Sequence, residues 1–187
     1  MNAPIKRAGL ILGVFAAAVA AFFAISIAAP QASMAQEGKP HWIIELKDGT
    51  VDIELLPTVA PKHVERIVEL TNDKFYDGIV FHRVIDGFMA QSGDPTGTGM
   101  GGSDKPDVVA EFNAESFTRG AVGAARSNDP NSFNSQFFIC FADCTFLNGN
   151  YTVFGRVVSG MEAVDAITRG EPPTNPDKII SATITYE

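Results

Sequence analysis

Residues 81–94 read FHRVIDGFMAQSGD, and this segment carries the most informative pattern in the 187-residue chain. Its two short apolar runs flank Asp86-Gly87, which is typical of two strands joined by a tight turn. In an extended strand, Phe81 and Arg83 are two residues apart and share a face. A groove-facing arginine among aromatic side chains is costly unless it serves a partner. The spacing alone leaves a second interpretation open, an edge arginine held in a surface ion pair.

The rest of the chain reads mainly as short strands. Residues 41–56 alternate apolar and polar side chains on both sides of Asp48-Gly49, which predicts a hairpin. Further apolar runs lie between turns, at residues 79–85, 88–94, 120–125, 135–143, 151–158 and 179–187. Helical spacing predicts one helix over Val59–Asn72 and a second near Met161–Thr168. Many short strands with one early and one late helix favour a closed antiparallel β-barrel whose ends are covered by the helices.

The N-terminus has the pattern of an export signal. Lys6 and Arg7 are the only charged residues among the first 35, and they precede an apolar run over residues 8–29. Small residues at Ser33 and Ala35 offer a cleavage site after Ala35. The run is also long enough to cross a hydrocarbon layer of roughly 30 Å as a helix. Residues 1–35 are therefore expected to be a signal peptide or an uncleaved hydrophobic anchor. Residues 36–40 read as a linker, and 41–187 as one domain.

Composition and motifs exclude several classes of protein. A net charge of −8 and a pI near 4.8 argue against nucleic-acid binding. The glycines of residues 97–102 are followed by Ser-Asp-Lys-Pro rather than by a helix, so a nucleotide-binding loop is not expected. Three scattered histidines give no metal-site spacing, and we expect neither a metal nor a cofactor. Cys140 and Cys144 read as buried thiols, although an oxidising compartment leaves a disulfide open.

From about His41 to Tyr186, the chain resembles the cyclophilin-type peptidyl-prolyl cis-trans isomerases. Residues 81–94 are similar to the family pattern F-H-R-x-I-x-G-F-M-x-Q-x-G-D. SQFFIC at residues 135–140 and VFGRV at 153–157 match two further family blocks in the expected order. The resemblance implies an eight-stranded antiparallel barrel with two helices, in agreement with the pattern above. Arg126 after Ala125, and the compact loop after Gly101, resemble bacterial exported members.

The resemblance implies rotation about X–Pro bonds in unfolded or extended proline-containing polypeptides, and thus help in their folding. Arg83 is the expected catalytic donor to the proline nitrogen, and Gln91 is expected to orient Arg83 and hold the substrate backbone. The other expected substrate-binding residues are Phe88, Met89, Gly99, Arg126, Ser127, Asn128, Gln136, Phe138, Phe146, Leu147 and Tyr151. We expect a monomer in the periplasm, either soluble after cleavage near Ala35 or anchored in the inner membrane through residues 8–29.

The sequence departs from the family at three of these positions. Phe146 stands where many members have tryptophan, and Tyr151 where many have histidine. Arg126 replaces a small apolar residue in the strip that pairs with the substrate backbone, which affects the choice of residues before proline. Two other functions stay open: a barrel that binds peptides without isomerising them, and an exported barrel for a small ligand.

Overall fold

The computed structural model describes residues 38–187, so the leader predicted at residues 1–35, with its hydrophobic helix, lies outside the described residues. No helix within 38–187 is long and apolar enough to cross a membrane. The described chain is mainly β-structure with two helices, α1 (Pro61–Asn72) and α2 (Met161–Asp165). The strands are β1 (Pro40–Leu46), β2 (Gly49–Leu55), β3 (Arg83–Ile85), β4 (Met89–Ser92), β5 (Ala121–Ala124), β6 (Phe137–Cys140), β7 (Val153–Ser159) and β8 (Ser181–Tyr186).

All eight strands form one antiparallel sheet in the order β3-β4-β6-β5-β7-β2-β1-β8. The prediction of a closed barrel was wrong, because the curled sheet is open between β3 and β8. The irregular chain before β8 occupies this gap. Val84 of β3 exchanges two backbone hydrogen bonds of 2.8 Å with Gly170, and Phe81 N–H donates to Asp177 O at 2.8 Å. With these groups already paired, the three-residue strand β3 has no free edge to offer β8.

The sheet separates two apolar clusters, and its pleat decides which side chains enter each one. The larger cluster is the main core, in which Val64 and Ile67 of α1 and Val164 of α2 pack against one face of the sheet. The smaller cluster lies on the opposite face and contains Met89 and Phe138, among others. The candidate site described below is built on this second face.

Both helices are shorter than predicted. Helix α1 begins at Pro61 instead of Val59, because proline has no N–H to leave unpaired and fits the first turn. The carboxylate of Glu111, almost 50 residues later in the chain, caps this helix: it accepts N–H bonds from Lys62 and His63 at 3.1 Å. Helix α2 ends at Asp165 instead of Thr168. The Glu111 cap ties the long segment between β4 and β5 to the core.

Candidate active site

Four neighbouring strands place one row of side chains across the second face of the sheet. Arg83 of β3 is paired with Gln91 of β4, Gln91 with Phe138 of β6, and Phe138 with Gly123 of β5. Directly opposed residues of antiparallel strands have their side chains on the same face. Residues far apart in sequence therefore form a line of a cation, an amide, an aromatic ring and a bare backbone position.

An open cavity of about 330 Å³ lies along this row. Its floor is Met89 and Phe138, which are almost fully buried. The 3-10 turn Thr145–Leu147 supplies part of the wall, with Leu147 buried and the Phe146 ring 68% exposed beside Phe88. The complete lining is Arg83, Phe88, Met89, Gln91, Ala125, Arg126, Phe138, Phe146, Leu147 and Tyr151. The cavity thus offers apolar walls to a small ring, with arginine side chains at its rim.

Arg83 is only half-buried, and it carries an ion pair. Its Nε donates to Glu171 Oε1 at 2.7 Å, and both side chains remain about half exposed. The two interpretations left open by the sequence therefore both apply, since Arg83 sits on an edge strand in an ion pair and also lines the apolar cavity. The bond to Glu171 uses Nε alone. Neither terminal nitrogen of Arg83 has a hydrogen-bond acceptor among residues 38–187. Those nitrogens can donate to a ligand.

Two glutamines connect this cavity with a second one. Gln91 Nε2 donates to Gln136 Oε1 at 2.8 Å, and Gln136 Nε2 donates to the carbonyls of Gly99 at 3.0 Å and Gly101 at 2.8 Å. The second cavity, of about 500 Å³, is lined by both glutamines and by the loop of Gly99. Because each amide is oriented by the next, the side chain of Gln91 is fixed beside Arg83.

Asp94 holds this loop in place from below. It is fully buried, and its carboxylate accepts bonds from Thr96 N–H at 2.7 Å, Thr96 Oγ1 at 2.8 Å and Gly99 N–H at 2.6 Å. Burial by itself raises the pKa of Asp94, but these hydrogen bonds outweigh it and lower the pKa to about 2. The loop whose carbonyls orient Gln136 is therefore held by a carboxylate that is ionised at neutral pH.

His82 lies under the same loop. The side chain is buried, and neither ring nitrogen has a hydrogen-bond partner among the described residues. Burial lowers the pKa of His82, although the nearby Asp94 carboxylate opposes this shift. His82 is accordingly neutral at pH 7, and a Cβ added at Gly99 would lie at van der Waals distance from its ring.

The two cysteines of the described chain are not available as nucleophiles. Cys140 and Cys144 are free and buried, in agreement with the first of the two predictions made for them. Burial raises the pKa of both thiols, so both are protonated at neutral pH. No group of three His, Cys, Asp or Glu side chains within residues 38–187 could hold a metal ion. The described groups can hold a ligand and direct a cation at it.

The structure brings most of the predicted residues to the two cavities. Phe88, Met89, Phe138, Phe146, Leu147 and Tyr151 line the smaller one, Gly99, Ser127 and Gln136 line the larger one, and Gln91 and Arg126 line both. Asn128 lines neither, and lies exposed in the loop after Arg126. Sequence reasoning missed Glu171 and Asp94. No spacing rule marks Glu171, which is 88 residues from Arg83. Asp94 is the last residue of the segment 81–94, so the resemblance of that segment to the family pattern could have identified it.

Comparisons with known proteins agree with this geometry. A family model described as cyclophilin type peptidyl-prolyl cis-trans isomerase matches residues 41–184. A probable peptidyl-prolyl cis-trans isomerase of Brucella suis is 52% identical over 185 residues, covering 90% of this chain and 94% of the relative.

Two solved structures are similar as well. A cyclophilin from Hirschia baltica has a TM-score of 0.71 at 32% identity, covering 76% of this chain and 73% of its own. A cyclophilin type isomerase from Cryptosporidium parvum, studied in the presence of the dipeptide Ala-Pro, has a TM-score of 0.73 at 29% identity, covering 79% and 99%.

Proposed function

This chain belongs to the cyclophilin-type peptidyl-prolyl cis-trans isomerases, and from that premise we propose that it rotates X–Pro bonds in exported, extended polypeptides and so assists their folding. The observation that carries the proposal is Arg83, whose free terminal N–H groups lie at the rim of an apolar cavity. The cavity volume of about 330 Å³ accommodates a proline ring, and the cavity is open to solvent, so the rest of a bound polypeptide can extend from it.

The chemistry follows from the nature of the barrier. An X–Pro bond isomerises through a state twisted by about 90°, and the barrier of roughly 18–20 kcal/mol is lost amide resonance. In the twisted state, the proline nitrogen regains a lone pair and becomes a hydrogen-bond acceptor. A guanidinium N–H directed at that nitrogen stabilises the twisted state more than either planar state, which lowers the barrier. The reaction requires no nucleophile, proton transfer or metal.

The remaining residues have supporting roles in this proposal. Phe88, Met89, Phe138 and Leu147 hold the proline ring by apolar contact. Gln91 holds the substrate backbone, and the Gln136 amide fixes Gln91. Glu171 positions Arg83 through its bond to Nε, which leaves the terminal nitrogens to face the substrate. The main chain of residues 126–128 pairs with the peptide before the proline, so that one end of the X–Pro bond is fixed while the other rotates.

Refolding of a polypeptide whose slow phase is limited by X–Pro isomerisation tests this function. The purified protein is expected to raise the rate of that phase in proportion to its concentration, at amounts well below one per polypeptide. Stopped-flow fluorescence measures the rate. A peptide-binding protein without catalysis would act only at stoichiometric amounts and would leave the slow phase unaccelerated or slower. That result would overturn the proposal in favour of the binding alternative.

Export is a separate part of the proposal, supported by the basic and apolar pattern of residues 1–35. Residues 1–40 fused to a reporter enzyme that needs disulfides are expected to give activity in a bacterial host, because those bonds form outside the cytoplasm. The matched control is the same reporter joined to residues 36–40 alone, which should stay inactive. Size and membrane fractionation of the fusion distinguish cleavage near Ala35 from anchoring. An inactive, cytoplasmic 1–40 fusion would refute export.

A further inference from the structure

Arg126 lies at the boundary between the two cavities and lines both of them. Its guanidinium carbon is 4.4 Å from the centre of the Tyr151 ring, a cation–π contact that holds the group over the ring face. Its hydrogen bonds go to main-chain carbonyls: Nε and Nη2 donate to Asn150 O, and Nη1 donates to Ser127 O at 2.9 Å. The charge is therefore held in one place before any substrate arrives.

Arg126 has more N–H donors than it has hydrogen bonds. A guanidinium has five N–H groups, and three are used, so two remain without an acceptor among residues 38–187. A pre-positioned guanidinium loses less side-chain freedom when it binds a carboxylate than a mobile one does. The free donors thus suit an acidic ligand group that reaches this boundary.

The charge of Arg126 is also uncompensated. The smaller cavity is lined by two arginines, and no carboxylate of residues 38–187 lines it. Arg83 is balanced by Glu171 at 2.7 Å, whereas no ion pair with a carboxylate of the described chain involves Arg126. The chain as a whole carries a net charge of −8, so its overall field repels acidic peptides. A preference for acidic substrates would accordingly have to come from a local contact.

We propose that Arg126 gives the enzyme a preference for substrates with Asp or Glu immediately before the proline. The inference rests on the proposed function, in which the proline ring occupies the smaller cavity. The preceding residue then crosses the boundary where Arg126 lies. The preference is confined to that position, because Asp107 lines the larger cavity and opposes a second carboxylate further along.

The test compares blocked peptides Ac-Ala-Ala-Xaa-Pro-Phe-NH2 in which Xaa is Glu, Gln or Lys, with NMR exchange between cis and trans signals as the readout. At low salt and pH 7, the purified protein is expected to catalyse exchange of the Glu peptide about two- to five-fold faster than that of the Gln peptide. The Lys peptide should be slowest. Added salt should reduce the differences, since the contact is partly exposed to solvent. In Ac-Ala-Xaa-Ala-Pro-Phe-NH2, the Glu peptide should be no faster than the Gln peptide.

Variants of Arg126 identify the source of the preference. In Arg126→Gln the ratio of Glu to Gln rates should fall to about one, and in Arg126→Glu the Lys peptide should become the faster substrate. The matched control is Arg169→Gln, which removes an arginine that stacks on Phe141 at 4.0 Å and lines neither cavity. It changes the net charge equally and should keep the wild-type ratio.

The outcomes separate the two proposals. Equal acceleration of the Glu and Gln peptides by the wild type, or an unchanged ratio in Arg126→Gln, would overturn the role of Arg126 and leave the isomerase function standing. No acceleration of any peptide would overturn the proposed function, and the specificity with it.

Discussion

Replacement of Arg83 by alanine is expected to lower the catalysed rate of cis–trans exchange in an Ala-Pro peptide about 10²- to 10³-fold. This is the loss that follows when one pre-positioned donor to a transition state is removed from an active site. Peptide binding should weaken far less, because the apolar cavity remains and the donor acts mainly on the twisted state. NMR exchange measures the rate, and chemical-shift titration of the same samples measures the affinity.

The fold of this variant should be retained. Arg83 is on an edge strand and about half exposed, and a surface ion pair such as that with Glu171 contributes about 0–1 kcal/mol to stability. Arg169→Ala, which breaks the ion pair with Asp86 away from the cavities, is the matched control and should keep wild-type exchange. Arg83→Lys retains the charge without the planar fork, and should recover only part of the rate. Full activity in a folded Arg83→Ala protein would contradict the assigned role.

The second large effect is expected at Gly123, which has no side chain and lies beneath the floor of the smaller cavity. A Cβ at this position would come within 2.6 Å of Phe117 Cε1 and would also collide with Phe138 Cζ. The Phe138 ring must then move, and the cavity that it floors is open space beside it. We expect kcat/KM of Gly123→Ala to be about 10²-fold lower, because misplacing a binding group by about 1 Å reduces the rate by that factor. The exchange assay above measures it.

Overpacking also costs stability, about 1–3 kcal/mol, so the control must separate unfolding from cavity distortion. Gly155→Ala serves this purpose, because its Cβ would approach Ile53 Cγ2 to 2.9 Å in the main core on the other side of the sheet. Both variants should shift urea unfolding, but only Gly123→Ala should lower the activity of the folded fraction. An equal loss of activity in the two variants would exclude a specific role for Gly123.

The local sequence pattern predicted the strands, but it wrongly predicted that the sheet closes into a barrel. Alternation in residues 41–56 identified β1 and β2, because each of those strands has one face in the core. The gap between β3 and β8 depends on backbone bonds that Val84 and Phe81 make with Gly170 and Asp177, in a segment without strand periodicity. A backbone hydrogen bond between such distant residues leaves no pattern in the sequence. The resemblance and the periodicity therefore both predicted a closed barrel.

The same distinction applies to the site. The resemblance identified Arg83, Gln91 and Phe138, but their common row depends on the pairing of β3, β4 and β6, which strand period alone does not give. The prediction that Phe81 and Arg83 share a face was wrong, because Phe81 lies in the main core and Arg83 lines the cavity on the opposite face of the sheet. Glu171 could not be found in this way, since its contact with Arg83 depends on where an irregular segment crosses the sheet edge. The sequence identified Arg126 as an unusual residue in the strip that pairs with the substrate backbone. Only the structure could show that Arg126 has no carboxylate partner in the described chain.

The buried carboxylate of Asp94 has a consequence for tolerance of acid. Since its pKa in the folded protein, about 2, is below the ordinary value of 3.8, its contribution to stability is complete above about pH 4 and is lost only as the pH falls toward 2. The wall of the larger cavity should therefore keep its shape in acid that protonates ordinary surface carboxylates.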